Sequence, residues 1–313
     1  MSNLPEKLRE RLSSTYTINS LTPVHDSRSN DTTKKYLYQL QDGRYIESVI
    51  IPASTNVNGN RSSRQTLCVS SQVGCAYGCK FCASGLDGFT RNLETSEIIG
   101  QVLAVEEESK KKINNIVFMG MGEPLANLEN LMHAIKIINA DWGLGIGARH
   151  ITVSTSGLAP EIMKIADQPL QIRLAVSLHG ASDDVREKIM PINKKYPLND
   201  LIESLQYYNS KKKHKITFEY ILIKGVNDSE EQANSLAKLA SSLRAKVNLI
   251  PYNKVEELHW ERPSETAQKN FLNILTKKRI QATLRKEKGH DIEAACGQLR
   301  LKKERSEATK TMV

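Results

Sequence analysis

From position 66 onward the chain repeats one cadence: a short β-branched apolar run, a polar or glycine-bearing motif, then a longer stretch with apolar residues at helical spacing. The runs at 66–70, 115–119, 151–154, 172–178, 216–223, 247–251 and 280–285 predict strands. The stretches 95–109, 128–140, 198–211, 229–244 and 263–277 predict helices between them. Such alternation predicts parallel β/α units with right-handed crossovers, and leaves open whether the sheet closes into a barrel. Ahead of this part lies an opening helical stretch. Segments 36–40 and 45–51 then alternate around Gln41-Asp42-Gly43-Arg44, which predicts a β-hairpin turned by Asp-Gly, and 52–64 reads as a polar loop.

Nearly every predicted strand runs into a chemically promising motif: SSQVGC, GMGEP, STSG, SLHG, GVND and PYN. In parallel α/β proteins the C-terminal edge of the strands is where ligands sit, so six motifs on that edge predict a site there.

Composition narrows the class. The 313 residues are 39% apolar and 25% charged, the balance of a globular chain. No apolar run approaches the ~20 residues a bilayer span needs, and the opening MSNLPEKLRERL lacks a signal-peptide core, so no membrane partner is expected. Five cysteines, an odd number without an export signal, argue against a disulfide framework and for a cytoplasmic location. The net charge is +9, and 11 basic against 5 acidic residues from position 277 onward put +6 of it in the last segment. That distribution suits a polyanion, or simply a solvated tail.

Cys75, Cys79 and Cys82 form C-x3-C-x2-C in SQVGCAYGCKFCASG, with Phe81 before the last cysteine. Three thiolates in one loop can hold a cubane iron–sulfur cluster and leave one iron free for a cofactor. The other reading is a zinc loop completed by a histidine. Glu123, in the GMGEP motif one unit later, could then meet the ammonium end of such a cofactor. Taken alone, Gly-Glu-Pro is a helix entry.

At this point the sequence resembles the RlmN/Cfr family of radical S-adenosylmethionine (SAM) RNA methyltransferases. The resemblance is carried by TLCVSSQVGCAYGCKFCASGLDGFTRNL, GMGEP, STSG, SLHG, PYN and AACGQL, in the family's order. GFTRNL favours the RlmN branch, which methylates adenine C2, over the Cfr branch, which methylates C8. The resemblance implies an α/β fold with a partial (β/α)6 barrel. It divides the chain into a helix and hairpin extension (1–64), the barrel (65–285) and a C-terminal segment (286–313). Cys75, Cys79 and Cys82 would bind a 4Fe-4S cluster. Gly122, Glu123, Ser154, Ser177, Leu178, His179 and Asn253 would bind SAM, of which two are used per turnover. Cys296 would carry a methyl group, Cys68 would resolve the protein–RNA adduct by forming a disulfide, and Glu47 would take the C2 proton. The implied partners are 23S rRNA, tRNA for some members, and an electron donor such as flavodoxin, with the protein a monomer.

The chain departs from the family pattern in three places. It starts at LPEKLRERL, where family members carry a further small helical domain, and its 52–64 loop is longer than usual. The family's SLHA is SLHG here, which reads as a minor change. Competing functions are C8 methylation, glycyl-radical activation of a protein, and a zinc-bearing nucleic-acid-binding module. The glycyl-radical reading leaves Cys68 and Cys296 without a role.

Overall fold

In the computed structural model, which describes residues 4–17, 21–53, 64–86, 88–253, 259–285, 292, 299–301 and 303–304, the alternating pattern becomes one long sheet. After helix α1 (Glu6–Thr15) come β1 (Thr22–Arg28), β2 (Lys34–Gln39), β3 (Tyr45–Pro52) and β4 (Gln65–Cys68). These four pair antiparallel in sequence order. The predicted hairpin is β2–β3, closed by Leu40 N–H to Arg44 C=O at 2.8 Å. A separate ribbon, β5 (Gln72–Gly74) with β6 (Phe89–Asn92), frames the cysteine loop.

The β/α units follow: α2 (Thr95–Ser109), β7 (Asn115–Phe118), α3 (Leu128–Asn139), β8 (Ile151–Thr155), α4 (Ala159–Ala166) and β9 (Arg173–Ser177). Then come α5 (Asp183–Ile189), α6 (Leu198–Lys211), β10 (Thr217–Leu222), α7 (Glu230–Ser242), β11 (Lys246–Pro251), α8 (Glu265–Lys277) and β12 (Ala282–Leu284). Strands β4, β7, β8, β9, β10, β11 and β12 are parallel neighbours in chain order, so the crossovers run steadily one way. This is the mixed α/β, mostly parallel architecture that the alternating pattern predicts and the family resemblance implies, with a short seventh parallel strand at its end.

Helices α2 and α6 match their predicted spans. Helices α7 and α8 start later than the pattern suggested because Ser229 and Ser264 are their N-caps, accepting from Gln232 N and Ala267 N at 3.2 Å each. Strand β1 was not predicted, and its TPVHDSR is too polar for alternation to show. Helices α4 and α5, of 8 and 7 residues, are too short for a periodic signal. Most of the 52–64 loop lies outside the described residues.

Register divides the sheet into two faces. Leu67, Ile116, Val153, Val176, Phe218 and Val247 join the helices in the hydrophobic core. Alternation sends Cys68, Val117, Ser154, Ser177, Glu219 and Asn248 to the opposite, inner face.

Candidate active site

The β5–β6 ribbon sets the base of the cysteine loop. Cys75 N–H donates to Gly88 C=O at 2.9 Å, and Lys80 N–H ties the loop to Ile189 C=O at 2.9 Å. The three cysteines are half-buried and electrostatically coupled to one another. Burial pushes the Cys75 thiol up to about 12 and Cys79 well above the usual thiol range, with neighbouring Cys82 and Glu123 adding to both. Buried Arg186 opposes the rise at Cys79. Among the described residues no three His, Cys, Asp or Glu side chains gather closely enough to hold a single metal ion. Three electrostatically coupled thiols of one loop, with a buried guanidinium acting on Cys79, have the donor chemistry that an iron–sulfur centre needs, since its thiolate ligands bring net negative charge.

The GMGEP motif packs directly on the segment leading to that loop. Met121 C=O accepts from Ser71 N at 2.8 Å and Gln72 N at 3.2 Å, and Met121 N–H donates to Ser70 Oγ at 3.0 Å. Gly122 has φ +95°, and a Cβ there would fall 2.4 Å from Gln72 Cβ, so only glycine fits. Glu123 is buried. Its N–H donates to Gln72 Oε1 at 2.8 Å, and its carboxylate accepts from Ser156 N at 2.6 Å and Leu125 N at 3.1 Å. Desolvation raises its pKa despite these donors, so an arriving ammonium would find a carboxylate short of positive charge.

His179 follows β9 with φ +55°. Its Nδ1 accepts from Ile221 N–H at 3.0 Å, and its ring meets Phe81 of the cysteine loop edge-on, centroids 4.5 Å apart. Burial lowers its pKa to about 3, so the ring is neutral and Nε2 carries the proton. One ring nitrogen thus serves the fold, through the Ile221 amide. Ser154 and Ser177 sit half-buried on the inner face, Leu178 is buried with the core, and Asn253 is exposed beyond β11. The SLHG glycine is not incidental: a Cβ on Gly180 would lie 2.5 Å from Arg186 N, so this chain's own packing requires the departure from alanine.

At the other side of the sheet, Val49 pairs with Cys68, which puts Glu47 and Cys68 diagonally on the same inner face. Glu47 Oε2 meets Lys35 Nζ at 2.9 Å, with side chains only 2% and 0% exposed. Glu47 Oε1 accepts from Arg300 N–H at 2.6 Å, which brings Arg300 against the hairpin. Cys296 lies outside the described residues.

Several site residues carry no motif signal. Gln101 caps Ser70 from both sides, Oε1 accepting from Ser70 N at 2.8 Å and Nε2 donating to Ser70 C=O at 3.0 Å. Asn127 Nδ2 donates to Ser71 C=O at 2.9 Å and Leu93 C=O at 2.7 Å. Arg186 donates to Asn193 Oδ1 at 2.8 Å and Ser156 C=O at 2.5 Å. The available hint was a polar residue inside an apolar helical face, as in EIIGQVLAV for Gln101. GFTRNL also has a structural meaning. Arg91 bridges Asp42 of the hairpin turn (2.7 Å) and Glu97 of α2 (2.7 Å).

Comparison with known proteins gives one picture. Residues 69–237 match the model of the radical SAM superfamily. The chain is 56% identical over 311 residues to a probable dual-specificity RNA methyltransferase RlmN of Akkermansia muciniphila, covering 99% of this chain and 87% of that one. It is 54% identical to a probable RlmN 3 of Opitutus terrae, covering 97% and 84%. A crystal structure of a radical SAM methyltransferase from Sphaerobacter thermophilus superposes with TM-score 0.88 at 43% identity, covering 95% of this chain and 86% of that one.

Proposed function

Because this chain belongs to the RlmN family of radical SAM RNA methyltransferases, we propose that it methylates C2 of an adenosine in 23S rRNA, and one in tRNA, through a methylated cysteine. The observation that carries the reading is a shared inner face. It holds Glu47, Cys68, Ser154 and Ser177, with the cysteine loop coupled to Glu123 beside it.

Cys75, Cys79 and Cys82 would hold the 4Fe-4S cluster. Gly122, Glu123, Ser154, Ser177, Leu178, His179 and Asn253 would hold SAM. When bound and reduced by a donor such as flavodoxin, this pair supplies a carbon radical, which an unreactive aromatic C–H requires. The chain's own residues do the rest. Cys296 sulfur accepts a methyl group. Glu47 would take the C2 proton, a reading supported by its hold between Lys35 and the amide of Arg300, which is near Cys296 in sequence. Cys68 would attack the Cys296 sulfur as a thiolate, forming the S–S bond as the bond from that sulfur to the base-bound methylene breaks; that carbon keeps the electron pair and takes a proton to become the product's methyl group, and a disulfide is left. The position of Cys68 diagonal to Glu47 supports a reading in which proton removal and resolution share one face.

The test is mass spectrometry of RNA nucleosides from a host lacking its own such enzyme, with and without this gene. Appearance of 2-methyladenosine is the expected result. Appearance of 8-methyladenosine would transfer the chain to Cfr chemistry, and absence of both from a host making iron-loaded protein would refute the reading.

A further inference from the structure

The parallel strands have a second edge, at their N-terminal ends, opposite the six motifs. Three neighbouring turns carry cations there: Lys213 and Lys215 enter β10, Arg244 and Lys246 enter β11, and Lys278 and Arg279 enter β12. The sequence around them holds no Asp or Glu from 204 to 218, 232 to 255 or 266 to 286. All but Lys246 are exposed, and among the described residues the six form no ion pair. The nearest acid on this edge, Asp167, meets Lys211 at 3.9 Å.

Helix ends alone do not account for these charges. A cation in a last turn complements the helix dipole, which explains Lys211 of α6 and Lys277 of α8, whereas the last turn of α7 has none. Arg244 and Arg279 instead take left-handed backbone just past their helices, at φ +50° and +59°. Glycine serves that position without steric cost, so the chain twice forgoes the easier turn and places a guanidinium there. Between α6 and the turn into β11 the edge is hollowed into a recess of about 380 Å³, with Lys213, His214, Lys215, Arg244, Ser210 and Ser242 in its lining. Its surroundings are tied down: Asn209 Nδ2 donates to Leu243 C=O at 2.8 Å, and buried Lys212 donates to Gln168 C=O and Leu170 C=O.

Cationic donors in a hollow, with more cations on the next turn, fit an oxygen-rich anion repeated along a chain. A phosphodiester backbone has that distribution of charge, whereas a lone anion in the recess would leave the outer cations unused. At the same edge the turn into β8 presents Trp142, 79% exposed, an indole face on which an unpaired base can stack.

Resting on the RNA reading for the identity of the polyanion, we propose that this edge is a second RNA-docking surface, which grips the phosphate backbone away from the target nucleotide. Strand β10 spans six residues, so the edge lies about 20 Å from the end of the strand that faces the chemistry. The nucleotide held here is therefore not the one that is methylated, and the contact supplies affinity that does not depend on the sequence around the target.

The test uses the full-length, iron-loaded chain and a short labelled single-stranded RNA without adenosine, which keeps the methylation target out of the measurement. In wild type, bound RNA should protect Lys213 and Lys215 from an amine-acylating reagent, read by mass spectrometry, while exposed Lys164 and Lys238 on the outer helices react as before. The triple variant Lys213→Gln, Lys215→Gln, Arg244→Gln should bind about tenfold weaker or more. Its slope of log affinity against log salt should fall by about 2, for three lost phosphate contacts. An equal charge change on α4, α7 and α8, by Lys164→Gln, Lys238→Gln and Lys269→Gln, should cost under about threefold and keep the wild-type slope. Equal losses from the two variants would assign the effect to net charge and overturn the proposal. Wild-type lysines left unprotected by RNA would overturn it too, a result that needs no variant to fold. Protection by vesicles of anionic phospholipid and not by RNA would hand the edge to a membrane surface and overturn it as well. Methyl transfer is scored separately. Protection without 2-methyladenosine would support this surface and refute the proposed reaction, and 2-methyladenosine without protection would do the reverse.

Discussion

The two faces of one sheet obey opposite rules. Along β9, β10 and β11 the helix-side residues Val176, Phe218 and Val247 are closed off by helices, with no polar side chain among them. One residue away, Ser177, Glu219 and Asn248 turn charge and hydrogen-bonding capacity inward. The helix-side face is explained by burial alone, about 1.5–3 kcal/mol for each large apolar side chain. The inner face makes no sense as packing. Glu123, His179, Arg186 and Glu219 are all buried and all shifted from their ordinary pKa by desolvation. A fold tolerates such a face when something other than the fold uses it.

The sharpest way to break that contrast is to damage the inner side where chemistry is concentrated. Cys79→Ala should leave a folded protein without its iron chromophore and with methyl transfer reduced by about 10³-fold or more, read by iron content and nucleoside analysis. An iron-replete, active Cys79→Ala would remove the cysteine loop from the site. Arg186 comes next. It is wholly buried, bonds Asn193 and Ser156, and its pKa is lowered to about 10 by burial. Arg186→Met should cost about 2–6 kcal/mol in denaturant unfolding, because two buried neutral acceptors each lose their donor at about 1–3 kcal/mol apiece. A cost below about 1 kcal/mol would mean the buried cation does not organise the loop around Cys79.

His179 sharpens the contrast through pH. Its folded pKa of about 3 lies below the ordinary 6.5, so the unfolded chain binds the proton more readily between those values. The stability it contributes is therefore whole above pH 6.5 and is lost as pH falls toward 3. On the order of 3 kcal/mol should disappear between pH 6.5 and about pH 4, and His179→Asn should flatten that slope. A parallel slope in wild type and variant would assign the acid loss to other groups.

How legible all this was from the sequence follows the same division. The helix-side face writes itself as periodicity, which is why 95–109 and 198–211 coincide with α2 and α6. The motif glycines and cysteines were legible because few residues can replace them. Gly122 at φ +95° is one example. What stayed hidden were long-range partners. Gln101 holds Ser70 across 31 positions, Lys35 holds Glu47 across a hairpin, and Arg300 reaches Glu47 over 253 positions. None of these has a local pattern, since the sheet order that joins them exists only after folding. Gly180 was read as a minor change for the same reason, because its neighbour Arg186 approaches from the next helix.

That glycine gives a smaller, more discriminating test. Gly180→Ala restores the family residue but places a Cβ 2.5 Å from Arg186 N and 2.6 Å from its Cα. The obstruction is backbone, not a flexible side-chain end, so α5 must shift. The expected cost is about 1–3 kcal/mol in unfolding. SAM binding should weaken as well, because Leu178 and His179 precede the shifted turn. Unchanged stability would show that α5 is freer than its packing implies.

The smallest effect belongs to the helix side, and it closes the comparison from there. Ser229 caps α7, its Oγ accepting from Gln232 N–H at 3.2 Å, and the helix begins with Glu230 and Glu231 in its first turn. Ser229→Ala removes one acceptor from a helix end that keeps its favourable acidic turn, so about 1 kcal/mol of stability should be lost. Gln232 spreads the consequence no further than β10 and the start of α5, where its side chain meets Ala181 N, Ser182 Oγ and Tyr220 Oη. Methyl transfer at a temperature well below unfolding should therefore match wild type. If this cap variant instead lost activity in proportion to its stability, the two faces would be one cooperative unit, and the inner polar residues would owe their places to the scaffold as much as to a ligand.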